Sequence, residues 1–102
     1  MGSAANRVEF AGRLLERGSL RYTPAGIPVI EFHVGHVSTQ DEAGVPRQVE
    51  CEMACVALGT SALLLKDASP GLDLCVTGFL AARSLKQKTP VLHAATIEFV
   101  EI

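Results

Sequence analysis

From Arg7 to Leu14 side chains change character at every step, with Val8, Phe10, Gly12 and Leu14 on one side and Arg7, Glu9, Ala11 and Arg13 on the other. That period of two belongs to a half-buried β-strand, because successive side chains on extended backbone point to opposite faces. The pattern recurs. Val29 to about Ser38 sets Ile30, Phe32 and Val34 against Glu31, His33 and Val37, and a third run from about Arg47 sets Val49, Cys51, Met53 and Cys55 against Gln48, Glu50 and Glu52. Such repetition restricts the chain to a mainly β architecture.

The segments between the strands carry turn chemistry. The first strand is expected to end near Arg17, and Gly18, Pro24, Gly26 and Pro28 then punctuate a loop or hairpin tip holding Arg21 and Tyr22. Gln40 to Pro46 reads as a polar turn joining strands two and three. Thr60-Ser61 reads as an N-cap for a short helix over Ala62–Lys66, stopped by Ser69-Pro70-Gly71. Leu72 to Arg83 is then strand four, with Leu72, Leu74 and Val76 facing in and Gly78 allowing a bend. Val91 to about Glu101 is strand five, with Ile97 and Phe99 inward.

Three strands, one short helix and two more strands is the order of an all-β oligonucleotide/oligosaccharide-binding (OB) fold, a five-stranded Greek-key barrel with its helix between strands three and four. With 102 residues the chain holds one core. Residues 6–102 are assigned to that domain, and Met1 to Ala5 to an N-terminal tail, with Gly2 to Ala5 of native or artificial origin. The tail lacks the basic and apolar regions of a signal peptide. No apolar run approaches the ~20 residues that span a bilayer. A cytoplasmic protein without membrane contact is expected.

Three cysteines cannot all pair within one chain, and Cys51, Cys55 and Cys75 are read as free buried thiols. Cys51 and Cys55 lack the second ligand pair of a closed zinc site, so no metal or cofactor is expected. Catalysis is not expected either. The chain has no nucleophile elbow and no glycine-rich phosphate cradle, and Glu50 with Glu52 is its one carboxylate pair on a shared strand face.

Charge is uneven along a chain of net charge -2. Arg13, Arg17 and Arg21 outweigh Glu16, while Arg83, Lys86 and Lys88 stand unopposed in a Gln/Ser/Thr loop. Asp41, Glu42, Glu50 and Glu52 face only Arg47. Local patches rather than net charge attract phosphates. Arg13, Arg17, Arg21, Tyr22, Arg47, Arg83, Lys86 and Lys88 are therefore the candidate DNA-binding residues.

The segments Asn6-Arg7-Val8, Pro24 to Pro28, Glu42-Ala43-Gly44 with Arg47-Gln48, Gly78-Phe79, and Val91 to Ala94 share order and near-identical spacing with one family. From Asn6 onward the chain resembles the primosomal replication protein N (PriB) family. The resemblance implies an OB-fold homodimer that binds single-stranded DNA and bridges the helicase PriA to DnaT during replication restart. It also carries DNA contact to Arg21, Arg47 and Lys86, with Lys88 in a loop that is shorter here. Other positions depart. Glu50 and Val45 stand where better-known members carry aromatic residues, and Glu16 and Val37 stand at positions that are basic there. A stacked base is worth about 1–3 kcal/mol, so weak DNA binding is expected. Two alternatives stay open: a protein-interaction adaptor with vestigial DNA binding, and a generic single-stranded DNA or RNA coat protein.

Overall fold

A computed structural model describes residues 4–100. The order of elements is β1 (Val8–Arg17), β2 (Arg21–Tyr22), β3 (Pro28–Glu42), β4 (Val45–Leu58), α1 (Thr60–Leu65), β5 (Asp73–Ala82) and β6 (Pro90–Phe99). β1 pairs antiparallel with both β3 and β5, β3 with β4, and β5 with β6, while β4 runs parallel to β6. Each of these five strands thus has two neighbours, and the sheet closes on itself as an OB barrel. The two-residue β2 lies outside the ring, paired only with Pro28 and Val29.

The apolar sides of the alternating strands meet inside. Leu14, Ile30, Phe32, Val34, Leu74, Val76 and Leu92 are at most 1% exposed, and Val8 and Phe10 pack against them. Helix α1 plugs the barrel with Ala62 and Leu65, both fully buried. Asn6 fixes the start of the domain, because its side-chain amide donates to the Leu80 carbonyl at 2.8 Å and accepts from the Leu80 N–H at 2.9 Å.

Several expected boundaries are corrected. The turn between strands two and three shrinks to Ala43 and Gly44, whose φ angles of 54° and 79° form a tight hairpin connection. β3 and β4 therefore stay paired out to Glu42 and Val45. β1 leaves β3 after the Arg13–Gly35 pair, so the hairpin beyond it projects as a two-stranded arm. Cys51 lies on that arm and is exposed, Cys75 is half-buried, and only Cys55 is a buried thiol.

The helix N-cap is Gly59, without a side-chain cap bond, rather than Thr60-Ser61. Ser61 instead donates its hydroxyl to the Ala95 carbonyl at 3.3 Å, binding helix to sheet. Leu72 is 44% exposed rather than inward, while Phe99 shares the inward face of its partner Leu74 but stays 39% exposed. Leu72 precedes β5, and Phe99 is the last residue of β6, so alternation continues to where the core becomes open to solvent. The expected end of strand five at Glu101 and the tail residues 1–3 lie outside the described residues.

Candidate nucleic-acid interface

At one end of the barrel the two basic segments converge. Arg21, from the short β2, places Nη2 3.7 Å from Oε2 of Glu31, and Arg83, just after β5, places Nη1 3.6 Å from Oε1 of the same carboxylate. Glu31 can serve both because it is an exposed side chain of β3. Arg83 begins a loop that folds back on itself: its N–H donates to the Thr89 carbonyl at 3.1 Å, and the Ser84 N–H donates to the Gln87 carbonyl at 3.0 Å. Lys86 and Lys88 are exposed on this loop, and among the described residues neither enters an ion pair. Tyr22 is 60% exposed beside Arg21.

The remaining candidates have partners other than Glu31. Arg13 faces Asp73 at 3.6 Å. Arg17 donates from Nε to the Ala68 carbonyl at 2.7 Å, next to the helix end. Arg47 pairs with Glu42 near the tip of the arm. Sequence proximity grouped Arg13, Arg17 and Arg21, but the twist of β1 and the turn at Gly18 send them to different partners.

The outward side of β3 and β4 is acidic. Directly opposed residues share a face of a sheet, and here Val37 faces Glu50 while Gly35 faces Glu52. An open groove of about 740 Å³ beside them includes Arg13, Glu50, Glu52 and Asp73 in its lining. Glu16 lies 3.3 Å from the His33 ring on β3. A base passing over this face meets carboxylates, with no aromatic ring among Val37, Glu50 and Glu52 to stack on.

A stacked pair escaped the sequence reading. Glu31 is opposite Val56, Val56 is opposite His93, and His93 is opposite Phe79, so one outward row crosses four strands. At ~4.8 Å per strand, Glu31 and Phe79 are about 14 Å apart along that row. Phe79 is 46% exposed and stacks on His93 with ring centroids 5.1 Å apart and an interplanar angle of 9°. Alternation opposite the inward Leu80 gave the signal for Phe79, but its neighbour depended on a cross-strand register that no local pattern encodes.

Among the described residues, no three His, Cys, Asp or Glu side chains cluster closely enough to hold a metal ion. Burial pushes the Cys55 thiol up to about 12, and burial together with the charges of Glu9 and Glu98 raises Cys75. Neither thiol is thereby activated as a nucleophile. No described helix is long and apolar enough to cross a membrane.

Comparison with known proteins places this geometry. Residues 6–96 match the model of a single-strand binding protein family. The replication restart protein PriB of Bordetella pertussis is 49% identical over 76 residues, covering 74% of this chain and 71% of that protein. The structure of PriB from Ralstonia solanacearum superposes with a TM-score of 0.85 at 35% identity, covering 96% of this chain and 100% of that one. The wild-type single-stranded DNA binding protein of Thermus aquaticus superposes with a TM-score of 0.76 at 26% identity, over 95% of this chain and 50% of that one. Since agreement in sequence and barrel extends over most of its length, the chain belongs to the replication restart protein PriB family.

Proposed function

We propose that this protein binds single-stranded DNA weakly and without chemistry, as an accessory of replication restart. Arg21, Tyr22, Arg83, Lys86 and Lys88 form the principal contact, and Arg13, Arg17 and Arg47 add positive potential from the flanks. The observation that carries this reading is the meeting of the β2 segment and the β5–β6 loop at one carboxylate, which sets four cations on one rim of an OB barrel. Loops at that rim are the usual ligand clamp of this fold. A backbone tracked by cations is read with little base preference.

The protein acts in the cytoplasm as a homodimer that joins the helicase PriA, DNA and DnaT. Open strand edges support self-association. Among the described residues, the Val8–Gly12 half of β1 forms ladder pairs with β5 alone and the arm beyond Gly35 forms them within itself, with the His36 ring meeting the Ala11 carbonyl between them. An exposed edge is a ready template for a second chain. Sedimentation equilibrium is expected to give twice the monomer mass of 10.8 kDa.

Fluorescence anisotropy with labelled oligo-dT tests the DNA reading. Binding is expected at low salt and is expected to fall steeply as salt rises, because displaced counterions drive association. Replacing both Lys86 and Lys88 with alanine is expected to flatten the log–log salt slope by about 1.4, near 0.7 per lost contact on a single strand. The acidic β3–β4 face supports a second reading, a protein-interaction adaptor that has lost DNA binding. No anisotropy change at ~20 mM salt, where screening extends beyond about 20 Å, selects the adaptor.

A further inference from the structure

We propose that Glu31 is an internal competitor for DNA phosphate, a latch that occupies Arg21 and Arg83 until the nucleic acid displaces it. This inference rests on the DNA-binding role proposed for the rim and concerns how that rim is regulated. A carboxylate and a phosphate diester each present two anionic oxygens to a guanidinium. Here each Glu31 oxygen takes a different arginine, Oε2 with Arg21 at 3.7 Å and Oε1 with Arg83 at 3.6 Å. Both separations are longer than the 2.7–2.9 Å of a tight charge-assisted bond, so the latch is loose. It is also solvated, with the three side chains 41–58% exposed.

Loose, exposed pairs are worth little each, which makes them displaceable. Lys86 and Lys88, with no ion-pair partner among the described residues, meet the DNA first; Arg21 and Arg83 join when a phosphate replaces the carboxylate. The β2 segment and the β5–β6 loop are thereby held ready at one place without being saturated by a tight internal bond. The price is affinity, since two of the four rim cations begin paired with a carboxylate that cancels one of their two charges.

Glu31→Gln keeps the shape and removes the charge. In anisotropy titrations with labelled oligo-dT it is expected to bind about three- to tenfold tighter than the native protein at low salt, the gain of freeing two surface pairs. Its log–log salt slope should steepen by about 0.7, the share of the one carboxylate charge that no longer competes for the two arginines. The gain should vanish in an Arg21→Ala/Arg83→Ala background. Glu98→Gln controls for simple loss of negative charge, because Glu98 is exposed on β6 and enters no ion pair among the described residues. A Glu31→Gln affinity equal to or below the native value overturns the latch while leaving DNA binding intact. So does a gain that persists without the two arginines, or one matched by Glu98→Gln. If neither the native protein nor Glu31→Gln binds at ~20 mM salt, where the rim's field is little screened, the DNA-binding reading falls and the latch with it.

Discussion

Arg17 donates its Nε hydrogen to the carbonyl of Ala68 at 2.7 Å, joining the end of β1 to the chain just past α1. The helix that plugs the barrel is only six residues long and has no side-chain cap, so this cross-link helps hold it in place. A hydrogen bond to a charged donor contributes about 1.5–3 kcal/mol when part-buried, and the exposed end of Arg17 lowers that figure. Arg17→Ala is therefore expected to lower unfolding stability by about 1–2 kcal/mol in urea titrations. Arg17→Lys should not restore it, because an ammonium at the chain end cannot reproduce the Nε donor. Oligo-dT affinity of the folded variant should change little, since the guanidinium is held on the Ala68 and Gly18 carbonyls and not on Glu31 with the rim arginines. A large loss of affinity at unchanged stability would return Arg17 to the DNA contact.

Arg17 illustrates what could be read in advance. Alternation at Val8–Leu14 and Ile30–Val34 placed the strands and their inward sides, because burying one face imposes period two. The helix over Ala62–Leu65 was equally plain. Alternation does not measure strand length beyond the core, so the arm looked like a turn and Cys51 looked buried. Nor does it report which outward residues meet. Glu31 looked like any solvent-facing position, although it gathers Arg21 and Arg83; the Phe79–His93 stack depends on register across the β5–β6 pair. Proximity in sequence located the basic segments, and only the closed sheet sorted their members by partner.

Gly78 stands at the register shift between β5 and β6, where the strands bend. A β-carbon there would lie 1.8 Å from the His93 carbonyl oxygen and 3.0 Å from the Ala95 nitrogen, both backbone atoms that cannot rotate aside. Gly78→Ala must push the two strands apart at the Phe79–His93 stack. A loss of about 3 kcal/mol or more is expected in chemical denaturation, together with loss of protection of the amides around Gly78 and Ala94 in hydrogen exchange. A variant with native stability would show that the bulge closes with more room than this geometry allows.

Cys55 gives the fold an alkaline limit. Burial beside the core raises its thiol from 9.0 to about 12, so the folded state keeps the proton that the unfolded chain releases above pH 9. Stability from this group is fully present below pH 9 and is lost as pH climbs toward about 12. Between pH 8 and pH 10 the native protein is expected to lose about 1.4 kcal/mol more than Cys55→Ala under reducing conditions. Cys75, raised by burial, Glu9 and Glu98, adds a loss of the same sign in both proteins and cancels in the comparison. Parallel pH profiles for the two would mean that Cys55 ionises freely in the folded state.

Glu50 lies on the outward side of the arm opposite Val37, which is 66% exposed. A flat ring at Glu50 would have room to lie across Val37 and would replace a charge that repels phosphate. One stacked base contributes about 1–3 kcal/mol, so Glu50→Trp is expected to tighten oligo-dT binding at least about fivefold. The stacking part of that gain is insensitive to salt, whereas the part due to the lost carboxylate fades as salt rises. Tryptophan fluorescence then reports directly, because the chain has no other tryptophan. Quenching on addition of oligo-dT, persisting at high salt, is the expected result. Tighter binding without quenching would assign the gain to charge alone and place the path of the DNA away from the arm, along the rim of Arg21, Arg83, Lys86 and Lys88.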